Sequence, residues 1–151
     1  MKLQSAMEYL TTYGWAILIL AIVALVIVSS GLLTQRPTDI CSFEYNLTCS
    51  SYYINSNGIL NITIAQKTGY NITATYIGCD SNVSSSPILL PISDNVPNGG
   101  SFSSTVQCYY GGKYFNSSIS GTYQGYVVLE YTSELSGYQH TNVGRIVYNI
   151  G

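Results

Sequence analysis

The chain has 151 residues, a formal net charge of −2 and only 8 % charged residues, against roughly 25 % in ordinary soluble domains. Beyond Pro37 the only cations are Lys67, Lys113 and Arg145, so no basic patch exists to neutralise phosphates, and nucleic acid is excluded as a partner. Once the apolar N-terminal segment is set aside, about 115 residues remain, enough for one compact domain but not for two.

The chain opens on Met1-Lys2-Leu3-Gln4-Ser5-Ala6-Met7-Glu8-Tyr9, and no further charge occurs until Arg36. Every residue from Ala16 to Val28 is apolar. A helix over Tyr9–Leu33 would run about 37 Å, enough to cross a hydrocarbon core of about 30 Å. A strand so long and so apolar on both faces would be exceptional, and Arg36-Pro37 closes the segment. Two ordinary explanations compete. A removable secretory signal has an apolar core that Ala16–Val28 would match, but here a long polar stretch carrying Glu8 precedes it. A permanent membrane anchor is supported by hydropathy alone. Glu8 also has a purely local explanation: Ser5-Ala6-Met7-Glu8 satisfies the S-x-x-E capping box, and a first-turn carboxylate complements the helix dipole.

After Pro37 the pattern changes to short alternating runs. Leu60–Ile64 and Tyr70–Tyr76 alternate cleanly, and further strands are expected over Pro87–Ile92, Phe102–Tyr110, Tyr114–Ser120, Tyr123–Tyr131 and Val143–Ile150. Asn57-Gly58, Thr68-Gly69, Asn98-Gly99-Gly100, Gly111-Gly112 and Ser136-Gly137 punctuate them. In the last hairpin Val127, Leu129 and Tyr131 share one face, as do Ile146, Tyr148 and Ile150, across a loop at Thr132–Asn142. No helix is expected after residue 40. The expected fold is therefore α+β: a long N-terminal hydrophobic helix, then a small antiparallel β-sandwich or barrel head.

Cys41, Cys49, Cys79 and Cys108 all follow the apolar segment. They contain no CxxC pair, and the single histidine, His140, lies far along the chain, so their spacing offers no zinc site. An even count beyond such a segment reads as two disulfides in an oxidising compartment. Three pairings are open; Cys41–Cys49 with Cys79–Cys108 is favoured, because the first two bracket a short loop. Asn46, Asn61, Asn71, Asn82 and Asn116 each head an Asn-x-Ser/Thr sequon and are candidate glycosylation acceptors. The fifteen tyrosines are expected to pack their rings on sheet faces with wet hydroxyls. Tyr52-Tyr53 and Tyr109-Tyr110 are candidates for stacking on sugars.

Asp39, Glu44, Asp80, Asp94, Glu130 and Glu134 show no paired spacing suited to acid/base work. With no phosphate-cradling loop and no serine elbow, neither catalysis nor a cofactor or metal is expected.

The phrase Gln4-Ser5-Ala6-Met7-Glu8-Tyr9-Leu10-Thr11-Thr12-Tyr13-Gly14-Trp15-Ala16-Ile17-Leu18 resembles the N-terminus of archaeal type IV pilins with class III signal peptides. The resemblance covers the first thirty residues or so; the remainder matches only as a β-rich head of the kind such pilins carry. It implies that a prepilin peptidase cuts between Leu3 and Gln4, although Leu3 stands where the family usually has a small residue. Residues 1–3 would then be a leader, residues 4–35 a helix kept by the mature protein, and residues 36–151 the extracellular domain. It implies a precursor in the cell membrane with its C-terminus outside, later drawn into a helical filament of identical subunits by a pilus assembly machinery. Surface adhesion is the use expected of that filament. Glu8 would be the fifth mature residue, where the family has its acid, and its partner would be the amine freed at Gln4 of a neighbour. A lectin-like module held by a permanent anchor is the alternative.

Overall fold

The computed structural model describes residues 2–31, 37–83 and 86–151. The chain divides into two compact units, one up to Arg36 and the other from Pro37 onward.

The first unit is the helix α1, Lys2–Ser29. It starts seven residues before the expected Tyr9; Ser5 turns its hydroxyl back onto Lys2 O instead of breaking the helix, as Thr11 and Thr12 do further along. It stops at Ser29, and Gly31 follows with φ 68°, the left-handed conformation of a helix C-terminus. Leu32, Leu33 and Arg36, expected to complete and close the segment, lie outside the described residues. At 1.5 Å per residue α1 is about 42 Å long. It is long and apolar enough to cross a membrane, and none of its residues is buried within its own chain.

The second unit is a β-rich head. Its strands are β1 Ile40–Ser42, β2 Leu47–Ile54, β3 Ile59–Gln66, β4 Ile72–Asp80, β5 Leu90–Val96, β6 Ser101–Tyr110, β7 Lys113–Tyr114, β8 Thr122–Ser133 and β9 Gln139–Asn149. They hydrogen-bond in the order β1-β9-β8-β4-β6-β3-β2, with β5 added to β4 and β7 to β6. The sheet is mixed rather than purely antiparallel: β4 and β6 run parallel over Cys79–Asp80 and Cys108–Tyr109. It curls until its two ends, β1 and β2, lie side by side, giving a nearly closed barrel. No helix occurs among the described residues of this unit.

Several strands differ from expectation. Both β1 and β2 are additional, since Leu47–Ile54 lacks clean alternation; a bulge between Cys49 and Ser51 changes its phase. A second bulge between Ala74 and Tyr76 breaks the period of β4. Ile72 and Ala74 point inward, but Ile77 and Cys79 take over that role and Tyr76 is left 41 % exposed. Of the expected strand Tyr114–Ser120 only Tyr114 pairs with a neighbour, in the two-residue strand Lys113–Tyr114. Phe115 then turns in as a plug, fully buried edge-on to Tyr123 with ring centroids 4.8 Å apart. Strand β5 begins at Leu90 rather than Pro87. The expected loop Thr132–Asn142 is mostly strand, because β8 and β9 stay paired out to Thr132 and Gln139. His140 is accordingly a strand residue, its ring stacked 5.4 Å from that of Tyr131, and not a loop residue.

The core is one cluster filling the barrel. Leu60, Ile62 and Ile64 come from β3, Val127, Leu129 and Tyr131 from β8, and Ile146 from β9, with Tyr148 and Ile150 packed against its edge. Disulfides join Cys41 to Cys49 and Cys79 to Cys108. Each sits at a seam. The first ties β1 to β2 where the barrel almost closes, and the second ties the parallel pair β4 and β6, where the ladder is shortest. Gln66, wholly buried, ties the turns at one end: its amide nitrogen donates to Tyr70 O at 3.0 Å and Pro97 O at 2.7 Å, and its Oε1 accepts from Thr68. Gln107 does the same at the other end, with Gly58, Cys108 and Phe115 as carbonyl partners. Tyr123 is wholly buried, its hydroxyl donating to Tyr109 O at 3.1 Å. Burial, reinforced by the nearby Asp80 carboxylate, pushes that phenol far above its ordinary value of about 10.

Two stability predictions follow from these contacts. The disulfides close sequence separations of 8 and 29 residues. Loop-closure entropy therefore assigns them about 2.5 and about 3.6 kcal/mol respectively. Urea unfolding of the detergent-solubilised chain should show Cys79→Ala/Cys108→Ala losing more than Cys41→Ser/Cys49→Ser; the reverse order would contradict the seam account. The second prediction concerns alkali. Folded Tyr123 keeps its proton while the unfolded phenol ionises above about pH 10, so its stabilisation is complete below that pH. It is then lost at about 1.4 kcal/mol per pH unit as pH rises toward the folded value. Tyr123→Phe should be less stable at neutral pH yet show a shallower alkaline decline, measured by urea midpoint against pH.

Candidate functional site

Leu3, Gln4 and Glu8 all lie on α1, and all are exposed. The expected capping box does not form. Because α1 begins at Lys2, Ser5 is an interior helical residue whose hydroxyl donates to Lys2 O at 3.2 Å, and Glu8 lies beyond the first turn. The local explanation for this acid is thereby removed.

What surrounds Glu8 is prepared for an apolar phase. Thr11 and Thr12 donate to the carbonyl oxygens of Met7 and Glu8 at 2.5 and 2.8 Å, so both hydroxyls are satisfied inside the helix. The Glu8 carboxylate has no hydrogen bond or ion pair among the described residues. The backbone amides of that turn already serve the helical ladder, and the nearby hydroxyls of Ser5 and Thr12 are turned onto backbone carbonyls instead. The carboxylate is left open to a partner.

At helical spacing Gln4, Glu8, Thr11 and Trp15 share a face. Beside it Leu10, Thr11, Gly14, Trp15 and Leu18 line a shallow groove of about 190 Å³. Gly14 opens that groove: a Cβ there would meet nothing within 4 Å. Tyr9 and Tyr13 pack on each other with centroids 4.3 Å apart. The arrangement is a helix surface with one notch and one unmet charge, suited to receiving another helix.

On the head, the sequon residues Asn46, Asn61, Asn71, Asn82 and Asn116 are all exposed. Asn46 stands in the β1–β2 connection with φ 60°, Asn61 on the outer face of β3, and the other three in segments between strands. Ser84, which completes the sequon of Asn82, lies outside the described residues. Of the paired tyrosines, Tyr53 and Tyr110 are about half exposed, whereas Tyr52 packs edge-on against Tyr148 and Tyr109 lies against Tyr114. Burial first, and then Tyr114, raise the Tyr109 phenol above its ordinary range. Among the described residues no three His, Cys, Asp or Glu side chains gather where a metal ion could sit. Sequence reasoning missed Gln66 and Gln107; a glutamine ending or crossing a strand carries no motif that marks it as a loop anchor.

No protein-family model matches the chain, and no curated protein matches it.

Proposed function

We propose that the chain is the structural subunit of an extracellular filament of the type IV pilus kind, stored in the cell membrane before assembly. The observation that carries the proposal is the unmet Glu8 carboxylate on an exposed helix that is wholly apolar from Ala16 to Val28. Lipid shelters the apolar side chains but offers the acid nothing to pair with, whereas a bundle of identical helices shelters both. The resemblance of Gln4–Leu18 to archaeal type IV pilins names the partner: after cleavage between Leu3 and Gln4, the new amine of one subunit meets Glu8 of the next. Trp15, Leu20 and Val28 are then buried between helices. A buried pair of this kind adds little net stability and mainly sets axial register, as a lone polar group does in a coiled-coil seam.

The head forms the outer surface of that filament. With so few charges it stays wet through hydroxyls and amides, and through glycans on whichever sequons are used, and its proposed task is adhesion. The disulfides suit an exterior that is oxidising and unprotected.

Glu8→Ala is expected to enter the membrane at normal levels but to assemble poorly, because it strands the neighbour's amine in an apolar core. Breaking a buried pair costs about 3–5 kcal/mol, well over tenfold in association. Sheared-filament yield set against membrane content measures this, and wild-type filament yield from the variant would sink the proposal.

A further inference from the structure

A second feature of the head is independent of how the helix is used. A cleft of about 530 Å³ opens on its outer surface, where Asn82 and Gly111 form the rim and Tyr110, Gln124, Tyr126 and Arg145 present side chains. Its construction follows from strand alternation. Along β8, Tyr123, Gly125 and Val127 are buried, so Gln124 and Tyr126 point outward about 7 Å apart. Arg145 of β9 is the cross-strand partner of Tyr126 and is also exposed, so the two side chains stand on the same outer face. Tyr110 comes from the opposite wall, at the end of β6. Gly111 and Gly112, with φ 57° and 78°, follow it in the two-residue turn that only such residues make easily.

The rim is held by its own bonds. Gly111 N donates to Ser81 Oγ at 3.3 Å and Asn82 N to Asp80 Oδ1 at 3.1 Å. The working side chains are not so engaged: no hydrogen bond or ion pair among the described residues occupies the Arg145 guanidinium or the Gln124 amide. Tyr110 and Tyr126 are 49 % and 37 % exposed.

The chemistry narrows the ligand. Two half-exposed phenol rings beside a planar amide suit a flat, hydroxylated ring that keeps its own hydration. Among the described residues that line the cleft, Arg145 is the one cation and none is an acid. The Asp80 carboxylate is buried beneath the rim, so the cleft favours a ligand with a single negative charge per unit. A guanidinium fork fits a carboxylate in two-point geometry. A nucleic-acid groove would need several cations along its track, and Lys113, the residue paired with Tyr110 across the β6–β7 turn, does not line the cleft. We propose that this cleft binds a saccharide bearing a carboxylate, of the uronic-acid class.

The test is a calorimetric titration of the full chain in detergent with a galacturonic acid tetramer, and with a neutral galactose tetramer of the same length. The acidic oligomer should bind about tenfold more tightly at low salt, an advantage that shrinks as salt is raised. Arg145→Gln should equalise the two, while Tyr110→Ala should weaken both by about tenfold. Tyr53→Ala, on the outer face of β2 away from this cleft, should leave both affinities unchanged. Unchanged near-ultraviolet circular dichroism would show that these surface variants remain folded. Equal affinity for the two oligomers, no binding of the acidic one, an Arg145→Gln variant like the wild type, or tighter binding of a short oligonucleotide would each overturn the assignment. None of these results touches the filament proposal.

Discussion

Burial of the apolar helix is the constraint on which everything else depends. Sixteen large apolar side chains of α1 are exposed and none of its residues is buried. Leaving such a surface in water costs on the order of tens of kcal/mol. The helix therefore needs an apolar surrounding, whether lipid or other helices. In the proposed filament Glu8 separates these two surroundings, because lipid meets only the apolar demand whereas a bundle of helices with a neighbouring chain end would meet both. The satisfied hydroxyls of Thr11 and Thr12 sharpen the contrast, since they need neither.

The head faces the opposite problem, a stable surface made with almost no charge. Its core is ordinary: alternating Ile, Leu and Val fill the barrel, and Phe115 seals one end. The weak points are the two places where the hydrogen-bond ladder is short or absent. Covalent bonds stand at both, Cys41–Cys49 at the near-closure of β1 on β2 and Cys79–Cys108 at the parallel junction of β4 and β6. The amides of buried Gln66 and half-buried Gln107 serve the turns in the same way, where no ion pair is found among the described residues. The result is an outer face free to present tyrosine, asparagine and hydroxyl groups, of which the Arg145 cleft is the most specific arrangement.

Where one period ran unbroken, the sequence was legible. The apolar run of α1 marked the helix, and the alternation of Val127, Leu129 and Tyr131 marked the last hairpin, whose inward face is buried in the head. Legibility failed where the period changed phase within a strand. The bulges after Cys49 and Ala74 each shift the inward face by a residue, which hid β2 altogether and turned Tyr76 outward. It failed again where a strand-like run was needed for something else, as when Phe115 leaves the sheet to plug the barrel. The parallel contact of β4 with β6 is a property of chain return over long separation, and no local pattern encodes it. At the candidate site the residues around Glu8 were legible as a phrase, but their local meaning was not: the helix starts too early for Ser5 to cap it. The cleft was half visible, as a tyrosine pair ending in Tyr110; its partners Gln124, Tyr126 and Arg145 meet only through strand register.

The most direct test of the central claim is the intact mass of the protein recovered from cells. A helix that trades lipid for copies of itself needs its first three residues removed, so the mass should correspond to a chain beginning at Gln4, found in material that sediments as filaments. Dispersed single molecules that still carry Met1-Lys2-Leu3 would contradict the account.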